Sequence, residues 1–98
     1  MDTIAAQKKN KQEKKKVDFE LFAPEAQKVT LAGDFNQWKP EATPLEKKEN
    51  GKWKVTLNLA PGRYEYRFLV DGDWQNDPQS GECVPNAFGS WNSVLEVR

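Results

Sequence analysis

The sequence predicts an all-β, immunoglobulin-like antiparallel β-sandwich, and three observations predict it. Apolar and polar residues alternate with period two in several separate stretches. Turn signals recur about every 8–12 residues, the spacing of a sandwich built from short strands. No stretch carries the 3.6-residue apolar periodicity of a helix of three turns. The Cys–Trp–Cys pattern of antibody domains is absent, so the architecture alone is implied.

The elements follow in order. Residues 1–16, MDTIAAQKKNKQEKKK, are polar and Lys-rich without an apolar face, and read as a flexible tail. From Val17 the period changes to two: Val17, Phe19 and Leu21 alternate with Asp18, Glu20 and Phe22, a half-buried strand ended by Pro24. A second strand covers Lys28 to Ala32 and stops at Gly33-Asp34. The loop that follows closes on Asn50-Gly51, a strong hairpin signal, with Leu45 anchoring a short edge segment inside it. Trp53, Val55, Leu57 and Leu59 alternate with Lys52, Lys54, Thr56 and Asn58 in the clearest strand of the chain. Ala60-Pro61-Gly62 turns it into the next, where Tyr64, Tyr66, Phe68 and Val70 alternate with Arg63, Glu65, Arg67 and Leu69. Asp71-Gly72 makes another tight turn, Trp74 lies in a short extended piece ending at Asp77-Pro78, residues 79–90 are irregular, and Asn92 to Val97 form the last strand.

The folded module is thus residues 17–98, near the lower size limit for a self-sufficient core. Composition excludes several classes. The chain has no His and one Cys, Cys83, which removes imidazole-based triads, thiolate zinc clusters and a disulfide framework. No apolar run approaches the ~18–20 residues of a membrane span. The N-terminus has no secretory pattern, and a cytoplasmic protein with Cys83 as a reduced thiol is expected. The zero net charge hides an asymmetry: residues 1–16 carry six Lys against Asp2 and Glu13, whereas residues 17–98 carry nine basic and thirteen acidic groups. An acidic body argues against nucleic-acid binding, which draws on cationic contacts to phosphate. The tail itself reads as a solvated arm or as a contact to nucleic acid or an anionic membrane.

The aromatics sort by strand parity. Phe19, Trp53, Tyr64, Tyr66 and Phe68 lie on apolar faces and are expected in the core. Trp38 and Trp74 continue no apolar face and sit among Gly, Asp, Asn and Gln. They either cap the ends of the sandwich or form a binding platform. An indole is flat, rigid and apolar, and the C–H face of a pyranose stacks on it while the hydroxyls need donors and acceptors at the rim. Asn36, Gln37, Arg67, Gln75, Asn76 and Asn92 are residues of the type such a rim uses. Asp34, Asp71, Asp73 and Asp77 all fall in turns, where short acceptors cap backbone N–H groups. Nothing points to the facing carboxylate pair of a glycosidase, so no enzyme activity is expected.

VTLAGDFNQW (29–38), GKWKVTLNLAPGRYEYRFLVDGDW (51–74), Asp77-Pro78 and NAFGSWNSVLEV (86–97) occur in this order, and together they resemble carbohydrate-binding module family 48, the glycogen-binding module, over residues 17–98. The resemblance implies an early-set immunoglobulin-like sandwich that binds α-1,4-linked glucan, glycogen or starch, without a cofactor. It implies Trp38 and Trp74 as the stacking residues, and Arg67, where kinase-type modules carry a Lys, and Asn92 as hydroxyl-bonding residues. Phe88, in place of a bulky aliphatic residue, would lie against the sugar ring, with Ser90 in place of a Thr beside it. Trp91 departs from the family pattern; by parity it sits opposite Asn92 and either covers the core or extends the platform. The alternative reading is a scaffold whose sugar site is vestigial and which recruits a kinase or a glucan-metabolising enzyme. A third is an excised N-terminal piece of a larger glucan-active enzyme.

Overall fold

The computed structural model describes residues 14–98, so the Lys-rich segment up to Glu13 lies outside the described residues. Within them are eight strands, three single 3-10 turns and no α-helix. Strands β1 (Lys15–Phe22), β4 (Lys52–Leu59) and β3 (Glu46–Lys47) form one antiparallel sheet in the order β1-β4-β3. Strands β2 (Val29–Gly33), β5 (Gly62–Val70), β8 (Trp91–Val97) and β7 (Cys83–Pro85) form the other, and β6 (Asp73–Gln75) also pairs with β5. The antiparallel sandwich expected from the alternation is the architecture found.

Several bounds differ from expectation: β2 runs one residue later, over Val29–Gly33, and β8 opens at Trp91 rather than Asn92, while β1 and β7 differ more. β1 opens at Lys15, because Lys15 and Lys16 continue the ladder opposite Leu59 and Asn58, and backbone pairing needs no apolar side chain. β7 lies inside the stretch expected to be irregular. It pairs Cys83, Val84 and Pro85 with Ser93, Asn92 and Trp91, a contact that three residues without alternation do not announce.

The interior follows strand parity. Phe19 and Leu21 of β1 and Trp53 and Leu59 of β4 face Val29 and Leu31 of β2, Tyr66, Phe68 and Val70 of β5, and Val97 of β8, all buried. The Phe19 ring meets Tyr66 edge-on at 5.1 Å, and Tyr66 meets Phe68 at 6.1 Å, the T-shaped geometry that aromatic quadrupoles favour. Tyr64 is half-buried and donates its hydroxyl to Ala60 O at 2.6 Å. Leu45 is buried, as expected of an anchor, and the segment around it closes one side of the sandwich: Leu31 N donates to Thr43 O and Leu45 N to Val29 O, both at 2.9 Å. This covers the free edge of β2 before the chain enters β3. The β3–β4 hairpin turns through Asn50 (φ 67°) and Gly51 (φ 80°), the left-handed pair that Asn-Gly supplies.

Thr30 is 3% exposed, and its hydroxyl has no hydrogen-bond partner among the described residues. A buried hydroxyl without a partner costs about 1–3 kcal/mol of desolvation. Thr30→Val keeps the shape and removes that cost. It is expected to stabilise the module by about 1 kcal/mol, a rise in Tm of roughly 4–8 °C in a thermal melt; an unchanged or lower Tm would contradict the reading.

Candidate functional site

The segment Gly33 to Trp38 is built to hold one indole at the surface. Gly33 is extended, and a Cβ there would lie 2.7 Å from Glu65 O and 2.8 Å from both the Phe35 ring and Tyr66 Cβ. Only glycine lets the chain leave β2 pressed against β5. The next residues form one 3-10 turn, Asp34–Asn36. The Asp34 carboxylate accepts the Glu65 N–H at 2.8 Å on one oxygen and the Trp38 indole N–H at 3.1 Å on the other. Phe35 turns inward, its ring 5.5 Å from Phe19 and 6.1 Å from Tyr64. Asn36 spends its amide on the loop: Nδ2 donates to Leu31 O and to Thr43 Oγ1, and Oδ1 accepts the Gly33 N–H. Gln37 (φ 55°) and Trp38 (φ 60°) are consecutive left-handed residues, a strained arrangement that costs on the order of 1–3 kcal/mol each. The Trp38 N–H donating to Gly33 O at 2.9 Å helps hold it.

The second indole is placed by a second turn. Asp71 (φ 48°) and Gly72 (φ 90°) reverse the chain from β5 into β6. The Asp71 carboxylate accepts the Gln27 and Lys28 N–H groups at 3.0 and 2.8 Å, which pins the turn to the β1–β2 connection. Trp74, opposite Leu69 and 44% exposed, then lies beside Arg67, whose Cζ is 5.8 Å from the indole centroid. Arg67 Nε donates to Asn76 Oδ1 at 3.0 Å, and its terminal nitrogens make no hydrogen bond among the described residues. Asn76 is held by its neighbour Asp77, which accepts the Tyr66 hydroxyl at 2.7 Å and donates its N–H to Ser93 Oγ at 2.9 Å. Burial and the adjacent Asp77 carboxylate push the Tyr66 phenol above its ordinary range, so it stays a donor.

Trp38 and Trp74 border one open cleft of about 710 Å³, within the size range of small-molecule sites. Arg67, Glu65, Asn86 and Asn92 supply its polar groups, and Phe88 and Pro85 also line it. Phe88 is 92% exposed. Asn92 is almost buried; Nδ2 donates to Glu65 Oε1 at 3.0 Å, and Oδ1 accepts from Asn86 Nδ2 at 3.0 Å. The hydrogen bond from Asn92, followed by that from Arg63, holds the Glu65 carboxyl below its ordinary value.

Five of the six residues singled out in the sequence therefore line one cavity: Trp38, Trp74, Arg67, Asn92 and Phe88. Ser90 does not; its backbone N–H donates to Asn86 Oδ1 and its carbonyl accepts from Asn86 N, so it shapes the 86–90 loop. Trp91 is 52% exposed and outside the cleft lining; its ladder position opposite Pro85 lies near the β7 edge, away from the core. Of the other candidate rim residues, Asn36 is consumed by its own loop, Asn76 orients Arg67, and Gln37 and Gln75 do not line the cleft. Glu65 and Asn86 were missed. Glu65 shares the strand parity of Arg67, a usable signal, while Asn86 carries only the Asx-turn pattern of an Asn bonding an N–H two residues on.

Residues 16–98 match the family described as the glycogen recognition site of AMP-activated protein kinase. The chain is 45% identical over 77 residues to Protein FLOURY ENDOSPERM 6, chloroplastic, of Oryza sativa subsp. japonica, covering 79% of this chain and 14% of that protein. It is 37% identical over 70 residues to the 5'-AMP-activated protein kinase subunit beta-1 of Sus scrofa, covering 71% of this chain and 54% of the subunit. Among solved structures it resembles a maltogenic amylase from S. marinus, with a TM-score of 0.70 and 27% identity, over 90% of this chain and 14% of the amylase chain. The chain thus spans only part of each relative. The cytoplasmic location expected from the sequence is overturned by the first likeness, which is to a chloroplastic protein; neither a lone thiol nor the lack of a secretory pattern selects the cytoplasm over another compartment. The family match runs from the second residue of β1 to residue 98 and takes in every side chain of the cleft, and the chain belongs to the family of the glycogen recognition site of AMP-activated protein kinase.

Proposed function

We propose that the cleft binds α-1,4-linked glucan of the glycogen and starch type without acting on it. The observation that carries this reading is that two indoles outside the core border one cavity rimmed by Arg67, Glu65 and Asn92. Trp38 and Trp74 stack on neighbouring glucose rings of a curved chain. Arg67 donates to hydroxyls from its terminal nitrogens, Asn92 offers a donor and an acceptor, and Phe88 closes the site along the sugar edge. Ser90 contributes through the loop that carries Phe88. Glu65 is the one carboxylate among the described residues lining the cleft, and a glycosidase needs two. Two stacking contacts of about 1.5–3 kcal/mol each, together with the polar contacts of Arg67 and Asn92 and partly offset by the ordering of sugar and side chains, correspond to a Kd in roughly the micromolar to millimolar range.

Titration calorimetry with maltoheptaose, with cellohexaose as the flat β-1,4 control, tests the proposal. Saturable binding of the first at least about tenfold tighter than the second is expected. No heat with maltoheptaose, together with no retardation on a glycogen-containing native gel, would defeat it. For the whole protein, the kinase named in the family description supports a role in bringing a glucan-metabolising enzyme or a kinase to the polymer.

A further inference from the structure

We infer that Glu65 is a positioning residue for this site: with Asn86 it clamps the Asn92 amide in a single orientation, and so fixes on which side the sugar meets its donor and on which side its acceptor. The inference rests on the glucan reading above. A primary amide has two ends of similar shape and opposite chemistry, an NH₂ that donates and an oxygen that accepts. Asn92 is 7% exposed, so the small part that reaches the cleft is the whole of what a ligand can read.

Its orientation follows from its neighbours without reference to the amide itself. Glu65 is acceptor-only when ionised, and Asn92 lies 3.0 Å from Oε1, so the group facing Glu65 must be the NH₂. On the other side, Asn86 Oδ1 already accepts two backbone N–H groups, from Phe88 at 2.9 Å and from Ser90 at 3.0 Å. Asn86 therefore turns its own NH₂ toward Asn92, 3.0 Å away, and the group facing it must be the Asn92 oxygen. A flip of Asn92 would set oxygen against carboxylate on one side and NH₂ against NH₂ on the other. Among the described residues the NH₂ keeps one N–H and the oxygen one lone pair unspent, which suits a sugar hydroxyl that donates and accepts at once.

Glu65 is itself held at both levels. Arg63 Nη1 donates to Oε2 at 3.0 Å, and the Glu65 backbone N–H donates to the Asp34 carboxylate that also fixes the Trp38 indole. One acidic side chain thus ties the hydroxyl-reading amide to the strand that supports the stacking platform.

A mutant cycle read by maltoheptaose titration and by heteronuclear NMR tests this. Glu65→Ala is expected to weaken maltoheptaose binding about 5- to 20-fold. Glu65→Gln, whose carbonyl can still accept the Asn92 N–H, stays within about threefold of wild type. Glu65→Ala combined with Asn92→Ala binds within about twofold of Asn92→Ala alone, because Glu65 acts through Asn92. In the spectrum of the sugar-free protein, Glu65→Ala shifts the side-chain amide pairs of Asn92 and Asn86 while the buried Trp53 indole signal stays in place, which also reports that the variant is folded. Unchanged affinity in Glu65→Ala, or additive losses in the double variant, overturns the inference. So do Asn92 amide signals that ignore Glu65→Ala, a result that needs no sugar. If the wild-type chain fails to bind maltoheptaose, the glucan reading falls, and the clamp is then decided by the sugar-free spectra alone.

Discussion

Trp74→Ala is expected to lower the affinity for maltoheptaose about 10- to 100-fold while moving the Tm by no more than about 4 °C. The two effects separate because of where the ring lies. Trp74 sits on the three-residue strand β6, 44% exposed, and belongs to no part of the buried cluster. Its removal leaves the β5–β6 pairing intact, since that ladder is backbone and the turn is held by Asp71. The cleft, in contrast, loses one of its two indoles, and Arg67 loses the ring beside it, 5.8 Å from its Cζ. Calorimetry and a thermal melt on the same sample check both halves. A loss under threefold would remove Trp74 from the site; a large drop in Tm would make it a structural residue.

Gly33→Val is the substitution expected to harm the fold most. Its extended backbone is open to any residue, so the conflict is one of space. A Cβ at 2.7 Å from Glu65 O meets backbone that cannot rotate away, and the two methyls of valine would enter the contacts of Phe35 and Tyr66. Overpacking of this kind costs up to about 3 kcal/mol, a fall in Tm of roughly 12–24 °C for a module of this size. The damage reaches the site too, because Trp38 hangs from Gly33 O and from Asp34. Glucan binding should therefore weaken well below the melting transition. A Tm within about 3 °C of wild type would show that β2 and β5 are looser than the contacts imply.

Much of the architecture was legible because strand alternation is a local property. The alternation in β4 and β5 placed Trp53, Tyr66 and Phe68 inside, and the same parity put Arg67 outside with Glu65. The Asn-Gly and Asp-Gly turns fell where the chain reverses, since both need left-handed backbone. Parts of the site were less legible. Asn36 and Asn76 look like sugar ligands by residue type, yet their amides are spent on the 31–43 loop and on Arg67. Ser90 looked like a contact and instead anchors a loop to Asn86. Nothing local distinguishes a polar side chain used by the protein from one left for a ligand, because the difference lies in partners far along the chain.

Short-range periodicity and turn chemistry are enough to specify the sandwich, its inward residues and the two indoles that the core does not require. That Trp38 and Trp74 share one cleft, although they are 36 positions apart, emerges from the packing of the whole chain. That packing alone joins Glu65, Asn92 and Asn86 into one hydrogen-bonded chain. The physical reason is that a hydrogen bond or a shared cavity depends on which strands become neighbours. That order, β2-β5-β8-β7 with β6 on β5, comes from burying both sheets against each other and is written in no single stretch of residues.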